Sequence, residues 1–412
     1  MSSTDFVYKK FSEFYEKLST AITPPSSFQQ REFAFLLFKE RIMVRHKNFA
    51  NMGDLKLFLT ESVPSDVYYS CAYYENPAAE MDKKGWLGAD LVFDIDADHI
   101  PTPCNKIHDE WTCNSCGFNG KGITPENCPI CGGQKFDVKT WPCDLCLNSA
   151  KEETVKLIDM LVQDFGFSEK ELRVFFSGHR GYHVHVENEA ARTLDAVARK
   201  EIVDYVTGLG LELFGGLKKE NLRKRYTSPP SDLYDFGWSK RLKLGMQNFI
   251  LNAEEEDLRK MGLKRNLNVI LQNKEAILER CLDAGRWRGV KGVGIATWIK
   301  IAEHVASLQS AKIDTVVTTD IHRLIRMAGT LHGKTGFKKV EFPVSAINAF
   351  DPFQEAVAFK GGRVKTFISD APEFKLGDQV FGPYKNQEIE LPTAAAILLV
   401  CRGRAEVLDQ NV

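Results

Sequence analysis

Candidate metal ligands are concentrated in one short segment of this 412-residue chain. Seven of the ten cysteines lie between Cys104 and Cys146, as three Cys-x-x-Cys pairs and one Cys that precedes His108 by four positions. Because intracellular thiols stay reduced and such pairs are typical zinc ligands, the pattern predicts metal binding and not a disulfide framework. The eight candidates would fill two closed tetrahedral zinc sites, which have a structural role.

The eight ligands can be grouped in two ways. Gly117 and Gly132 follow the second cysteine of two pairs, and glycine accepts the positive φ of a zinc-knuckle turn. This favours a zinc ribbon enclosed by an outer site. The ribbon ligands would be Cys113, Cys116, Cys128 and Cys131, and the outer ligands Cys104, His108, Cys143 and Cys146. The alternative is sequential, with the first four ligands in one site and the last four in the other.

Acidic residues alternate along the strand-like segment 91–96. Residues i and i+2 of a strand share a face, so Asp94 and Asp96 point the same way and the residues between them form an apolar face. Asp98 continues the acidic face, closer to the following loop. Neighbouring carboxylates need a compensating cation, and oxygen ligands suit Mg²⁺ or Mn²⁺. The alternative is a solvent-facing pair of acids at a strand end.

Two further segments combine glycine turns with basic side chains. The first is SGHRGYH (177–183), and the second contains Arg323, Arg326, His332 and Lys334. Backbone N–H groups in such turns and guanidinium groups both suit phosphate. Together with the acidic strand and Asp314, the turns predict a nucleotidyl-transfer site. The sequence has neither a P-loop nor a Rossmann glycine motif.

Composition excludes several classes of protein. The 54 basic and 55 acidic residues leave a net charge of −1, which gives no support to bulk electrostatic binding of nucleic acid or membrane. No apolar run approaches the roughly 20 residues of a membrane span. The polar N-terminus is unlike a secretory signal. We therefore expect a soluble, cytoplasmic protein.

Strands must position most of these residues. The patterns favour strands or hairpins over 31–49, 66–74, 88–99 and 171–186, and a helix over 152–166. Residues 190–310 favour helices. Strand-like segments return from 313, including the one that carries Asp314, and the last apolar run is about as long as a helix. His183 and His185 share a strand face, where they could bind metal or only pack.

In this order, the motifs resemble the catalytic small subunit of archaeal and eukaryotic DNA primases, most closely the archaeal form. The resemblance rests on REFAFLLFKERIMVRH (31–46), LVFDIDADH (91–99), SGHRGYHVHV (177–186), KIDTVVTTDIHRLIRMAGTLHGKTG (312–336) and the tail FGPYKNQEIELP…RGRAEVL. It implies an α+β fold with a mixed-sheet primase core, an inserted helical subdomain and a zinc-binding module. The core would comprise 1–103, 151–189 and 311–412, the zinc module 104–150 and the helical subdomain 190–310.

The resemblance also implies roles for individual residues. Two catalytic Mg²⁺ or Mn²⁺ ions would be bound by Asp94, Asp96 and Asp314, with Asp320 as the less favoured third carboxylate. The triphosphate of the incoming nucleotide would be held by Ser177, Arg180, His183, Arg326 and His332. Arg45 would lie near the template or primer. The family's knuckle needs one Cys/His set, so the role of the second set, the extra ribbon, stays open.

The implied activity is synthesis of short RNA primers on single-stranded DNA for replication by a nucleotidyltransferase. Its cofactors would be two catalytic Mg²⁺ or Mn²⁺ ions and two structural zinc ions. Its substrates would be NTPs, and whether it also uses dNTPs stays open. Its partner would be a primase large subunit with an iron–sulfur domain. Basic stretches at 217–226 and 240–243 could line a template channel or be solvated helix faces. The alternatives are a primase-polymerase that extends or repairs DNA, and a non-catalytic zinc-ribbon subunit that binds nucleic acid.

Overall fold

The structure, a computed structural model, describes residues 2–17, 22–38, 41–211, 236–263, 266–279 and 292–408. The chain divides into two compact units. The first consists of Met1–Val155, Phe167–Lys200 and Lys312–Val412, and the second of Lys156–Gly166 and Glu201–Ala311. The basic stretch at 217–226 lies outside the described residues.

All the strands in the described ranges belong to the first unit. They are β1 (Phe33–Leu37), β2 (Met43–Lys47), β3 (Pro64–Ser70), β4 (Ala72–Tyr74), β5 (Trp86–Ala89), β6 (Leu91–Asp96), β7 (Glu110–Cys113), β8 (Asn119–Lys121), β9 (Phe136–Lys139), β10 (Leu172–Phe176), β11 (Gly181–Val186), β12 (Leu324–Arg326), β13 (Val340–Phe342), β14 (Arg363–Ala371), β15 (Phe374–Leu376), β16 (Gln379–Phe381), β17 (Tyr384–Pro392) and β18 (Ala405–Val407).

Helices occur in both units. They are α1 (Ser3–Lys17), α2 (Met52–Ser62), α3 (Asn105–His108), α4 (Asp144–Gln163), α5 (Glu189–Arg192), α6 (Ala196–Thr207), α7 (Gly237–Asn252), α8 (Glu255–Lys260), α9 (Leu267–Gln272), α10 (Lys274–Ile277), α11 (Ile295–Gln309), α12 (Thr315–Thr319), α13 (Pro352–Glu355) and α14 (Thr393–Cys401). The predicted α+β class is confirmed. None of the described helices is long and apolar enough to span a bilayer.

The acidic strand belongs to a four-stranded antiparallel sheet of order β13-β10-β11-β6. The predicted hairpin is confirmed as β10 and β11. Strand β11 pairs with β6 so that His183 lies opposite Asp94 and Gly181 opposite Asp96. A Cβ atom at Gly181 would fall far inside van der Waals contact with the Ile95 carbonyl oxygen, so this register requires glycine there.

A second four-stranded sheet, of order β12-β3-β1-β2, packs near the first. The Tyr69 hydroxyl of β3 lies 3.4 Å from His185 Nδ1 of β11. Apolar side chains such as Phe33, Phe35 and Val67 are fully buried in this sheet. Burial of each such side chain stabilises the fold by about 1.5–3 kcal/mol, which fixes the strands that carry the polar residues.

The C-terminal apolar run forms α14, as its length predicts. Its residues from Thr393 to Leu399 are buried, and the first unit's three-stranded sheet of order β17-β14-β18 lies beside it. The helix ends at Cys401 with Arg402 as its C-cap residue, and Gly403 then adopts φ 64°, the left-handed conformation that favours glycine after a helix. The chain reverses there and places Arg402 at the end of a buried helix.

The segment around Asp314 differs from its predicted strand. Residues Thr315–Thr319 form the short helix α12, and the Asp314 carboxylate caps it by accepting from Val316 N at 2.9 Å and from Val317 N. The run of Val and Thr favours a strand, but an aspartate that satisfies free N–H groups favours a helix start. Here the cap prevails over β propensity.

The described parts of residues 201–311 are helical, as predicted. In the second unit, α7 and α11 pack around a core that includes Ile250, Trp298 and Ile301. Within the basic stretch 240–243, Arg241 pairs with Asp164 and, at 2.7 Å, with Asp159. Part of the positive charge of that stretch is therefore neutralised by its own unit.

Candidate active site and zinc module

Three carboxylates interact at strand β6. Burial, and then the charges of Asp96 and Asp314, raise the pKa of Asp94 to about 8. The Asp314 amide donates to the Asp94 carbonyl oxygen at 2.8 Å, which fixes the start of α12 against β6. Asp320 lies at the other end of α12, and its carboxylate accepts from His322 N at 2.9 Å.

A divalent cation fits these carboxylates. Their oxygens match the preference of Mg²⁺ and Mn²⁺. Burial and the charges of Asp96 and Asp314 outweigh the opposing charges of Arg323 and Lys339 in raising the pKa of Asp94, and a bound cation would stabilise the ionised carboxylates. The cluster is loose. Within the described ranges, three or more His, Cys, Asp or Glu ligand atoms come within 4.8 Å of one another only in the two Cys/His groups.

His183 faces this cluster from the neighbouring strand. Its Nε2 atom lies 3.5 Å from Asp94 Oδ1, and its Nδ1 atom is buried without a hydrogen-bond partner among the residues described. Burial, followed by the charges of Lys339, Arg326 and Arg323, lowers the pKa of His183 well below its ordinary value. The imidazole is therefore neutral, and it lies between the carboxylate of Asp94 and these cations.

The two glycine turns, 177–181 and 332–336, come together in one place. Gly178 has φ 85°, and a Cβ atom there would lie 3.2 Å from His332 Cβ. The Thr335 hydroxyl donates to the Gly178 carbonyl oxygen at 2.6 Å. The rings of His179 and His332 stack with centroids 4.8 Å apart. His179 and His332 are 153 positions apart in the chain, and the two turns thus form one wall of the predicted nucleotide pocket.

Ser177 and His332 have fixed orientations in this pair of turns. Ser177 Oγ accepts from His179 N at 3.2 Å. His332 Nδ1 accepts from Lys334 N at 3.0 Å, so the ring proton lies on Nε2. Burial and the nearby cations lower the pKa of His332 well below its ordinary value. The neutral ring retains one N–H that can donate to a phosphate oxygen.

Arg326 is buried and paired with Asp66, which the sequence reasoning missed. Asp66 Oδ1 accepts from Arg326 Nη1 and, at 3.0 Å, from Gly333 N. Burial alone would raise the pKa of Asp66, but Arg326 and these hydrogen bonds hold it below its ordinary value. Asp66 thereby connects β3 to both Arg326 and the 332–336 turn. Its one sequence signal is an acid inside a run of β-forming residues.

Arg180 points toward the zinc module. It is fully buried and pairs with Asp98, with Asp109 Oδ2 at 3.0 Å and with Cys146 Sγ at 3.1 Å. A contact between Arg180 and a triphosphate would have to compete with these partners. The arrangement links Arg180 to the Cys/His cluster as well as to the predicted nucleotide pocket.

Arg45 lies on β2, the edge strand of the other sheet. Its Nε atom donates to Glu32 Oε1 at 3.1 Å, and 39% of its side chain is exposed. Glu32 is fully buried and also lies 3.4 Å from Lys84 Nζ. The hydrogen bond to Glu32 holds the Nε side of the Arg45 guanidinium, and part of the side chain remains exposed to solvent.

The Cys/His ligands form the nested arrangement. The outer group brings together Cys104, His108, Cys143 and Cys146, and the ribbon group Cys113, Cys116, Cys128 and Cys131, each within 4.8 Å. Their Sγ–Sγ separations include 3.3 Å for Cys104–Cys146 and 3.7 Å for Cys116–Cys128. A tetrahedron with Zn–S bonds of about 2.3 Å gives roughly 3.8 Å. Both groups can therefore hold a zinc ion.

Local contacts prepare the outer group for a metal. His108 Nδ1 lies 2.7 Å from Asp109 Oδ1, which leaves Nε2 to face the cysteines. The contacts with Cys143, His108 and Arg180 lower the pKa of Cys146 below its ordinary value, against the opposing effect of burial. A thiolate at Cys146 is the form that zinc binds.

The ribbon turns have the predicted backbone. Gly117 and Gly132 have φ 75° and 72°, so the expected positive φ after each second cysteine is confirmed. Strands β7, β8 and β9 form a three-stranded sheet beside them. Trp111 of β7 packs against Phe136 of β9 with ring centroids 5.4 Å apart.

Comparisons with known proteins agree with this architecture. Residues 137–344 match the family model described as the DNA primase small subunit. A DNA primase small subunit PriS from Methanococcoides burtonii is 32% identical over 97% of this chain and 97% of its own length. The PriS protein of Archaeoglobus fulgidus is 32% identical over 97% of this chain and 97% of its own length. The PriS protein of Nitrosopumilus maritimus is 29% identical over 99% of this chain and 100% of its own length. The chain belongs to the DNA primase small subunit family.

Proposed function

We propose that this chain is the catalytic subunit of a DNA primase, which makes short RNA primers from NTPs on single-stranded DNA for replication. The observation that carries the proposal is that the Asp94 carboxylate lies 3.5 Å from His183 Nε2, and that the Asp94 main chain bonds to Asp314 at the start of α12. Carboxylates that raise one another's pKa, beside a pair of glycine turns with basic side chains, suit a metal–nucleoside triphosphate complex. A purely structural acidic strand would not need that basic neighbour.

Asp94, Asp96 and Asp314 are the proposed ligands of the catalytic Mg²⁺ or Mn²⁺ ions. Such ions, when bound in pairs, stabilise the attacking and leaving oxygens of an in-line displacement. The proposed triphosphate contacts are Ser177, Arg180, His183, Arg326 and His332. Their N–H and O–H groups would hold the phosphates and stabilise the charge that develops on the leaving pyrophosphate.

Zinc in the two Cys/His groups would have a structural role. Each group offers four protein ligands, so a bound ion keeps no open position for catalysis. The outer group would stabilise the segment that leads from β6 to α4. The ribbon group would stabilise the short strands β7, β8 and β9, which have little apolar core of their own.

The proposed partners are a primase large subunit and a single-stranded DNA template. The relatives are named small subunits, which supports a larger partner chain. Arg45 is the proposed contact with template or primer, because its guanidinium is partly exposed on an edge strand. The net charge of −1 suits a chain that depends on a partner for much of its affinity for DNA.

Primer synthesis tests the proposal. Wild-type chain, alone and with its co-purified large subunit, is given a single-stranded template with NTPs or with dNTPs in separate reactions. Asp94→Ala should abolish product, whereas Asp378→Ala, in an exposed turn after β15, should match the wild type. Product from Asp94→Ala at the wild-type rate would refute the catalytic role. Extension with dNTPs but no primer synthesis would favour a repair polymerase.

A further inference from the structure

Arg402 brings an incompletely paired guanidinium to the pocket wall formed by the two glycine turns. Its Nη2 atom lies 2.8 Å from His179 Nε2. Its Nε atom is buried without a hydrogen-bond partner in the described part of the chain. A guanidinium has five N–H donors, and this one uses a neutral ring nitrogen as its acceptor.

Among the described residues, no acid forms an ion pair with Arg402. Asp98 and Asp109 are close enough to influence its charge, but both are hydrogen-bonded to Arg180. Burial, and then the charge of Arg180, lower the pKa of Arg402 to about 10, so the group stays charged at neutral pH. A partly buried cation beside a second arginine is costly without an anion. This location therefore favours a bound anion.

His179 connects Arg402 to the predicted nucleotide contacts. Because His179 Nε2 accepts from Arg402, the proton of its neutral ring lies on Nδ1. The ring then stacks on His332 at an interplanar angle of 13°. Arg402 thus fixes the tautomer and orientation of one ring, and that ring supports the other.

We propose that Arg402 binds a phosphate of the incoming nucleotide and, through His179, positions His332. The inference rests on the proposed nucleotidyl-transfer function and adds a phosphate contact from the C-terminal helix. Arginine suits this role because its planar donors can bind two phosphate oxygens at once. The five residues predicted to bind triphosphate do not include Arg402 or His179.

Nucleotide binding tests the proposal. Calorimetry with Mn²⁺ compares ATP with AMP for wild type, Arg402→Gln, Arg402→Lys and the control Arg363→Gln, whose exposed side chain pairs with Glu390 on β17. Arg402→Gln should lower the ATP-to-AMP affinity ratio at least about tenfold, since a charged hydrogen bond is lost. Arg402→Lys should lower it less, and Arg363→Gln should leave it unchanged.

The possible outcomes distinguish a failure of the Arg402 contact from a failure of the proposed nucleotidyl-transfer function. A merely structural Arg402 would weaken ATP and AMP equally, and an unchanged ratio in Arg402→Gln would overturn the phosphate contact. Thermal unfolding identifies a variant that fails to fold. If Arg402→Gln is such a variant, Arg402→Met, which keeps the aliphatic stem and removes the charge, takes its place, and an unchanged ratio in Arg402→Met likewise overturns the contact. If the wild type shows no preference for ATP over AMP, the proposed function itself fails and this inference with it.

Discussion

The Asp66 carboxylate pairs with the buried Arg326 guanidinium across the neighbouring strands β3 and β12, although the two residues are 260 positions apart in the chain. Arg326 also donates to the Leu331 carbonyl oxygen at 3.3 Å. One carboxylate thus fixes both an arginine of the proposed nucleotide pocket and the turn that carries His332. The pocket depends on a residue that makes no proposed contact with nucleotide.

The substitution Asp66→Asn removes the negative charge of the carboxylate and nearly preserves the shape of the side chain. Because it leaves Arg326 buried without its counter-ion, we expect the free energy of unfolding to fall by about 3–5 kcal/mol. The KM for nucleotide should rise as Arg326 and the 332–336 turn lose their common anchor. Urea unfolding and primer-synthesis kinetics measure the two effects. Glu390→Gln, which removes the exposed partner of Arg363, should change neither.

The same pair predicts a pH dependence. Arg326 and the hydrogen bonds to Asp66 hold the pKa of this carboxyl below its usual value, so the folded state binds its proton less readily than the unfolded state. The stabilisation is therefore complete above the unfolded pKa, about 3.9, and is lost as pH falls through the lower folded value. The stability difference between wild type and Asp66→Asn should stay constant from pH 7 to 5 and shrink below about 4. A difference that shrinks already between pH 7 and 6 would contradict the assignment.

Alternating patterns predicted the strands that carry the site. The alternation at 91–96 and 171–186 corresponds to β6 and the β10–β11 hairpin, because buried and exposed positions of a strand differ every second residue. The positive φ of Gly117 and Gly132 was equally readable, since glycine alone adopts it without strain. These features depend on local sequence.

The missed features depend on contacts between distant segments. Asp66 and Arg402 acquire their roles from partners more than 200 positions away, which no local pattern reveals. The partners of Arg180, two carboxylates and a thiol, also lie outside its own glycine turn, and its role toward phosphate stays a prediction. The helix at α12 was missed because the Asp314 cap outweighs the β propensity that follows it.

Gly181→Ala tests the contact between β6 and β11. The added methyl group would overlap the Ile95 carbonyl oxygen and force the two strands apart at Asp96. We expect primer synthesis to fall at least about a hundredfold and the free energy of unfolding to fall by about 1–3 kcal/mol. Gly294→Ala is the matched control, because its Cβ would meet no atom within 4 Å and its φ of −81° suits alanine. Equal behaviour of the two variants would refute the close-approach argument.

Loss of one cysteine ligand should lower the zinc content equally in the two Cys/His groups. Wild-type chain should carry two zinc equivalents by elemental analysis. Cys146→Ser and Cys128→Ser should each leave one, because each removes a ligand of a different group. Measuring one equivalent in the wild type, unchanged in Cys128→Ser, would refute the ribbon site.

The activity of these two variants should differ because Cys146 contacts Arg180, which pairs with Asp98. The Asp98 amide in turn donates to Asp96 Oδ1 at 2.9 Å, so disorder in the outer group reaches a proposed ligand of the catalytic metal. We expect Cys146→Ser to weaken Mn²⁺ binding, measured by electron paramagnetic resonance, and to lower primer synthesis at least about tenfold. Cys128→Ser should bind Mn²⁺ like the wild type, since no described contact of the ribbon cysteines leads to β6. Equal Mn²⁺ affinity in both variants would show that the outer group acts on folding alone.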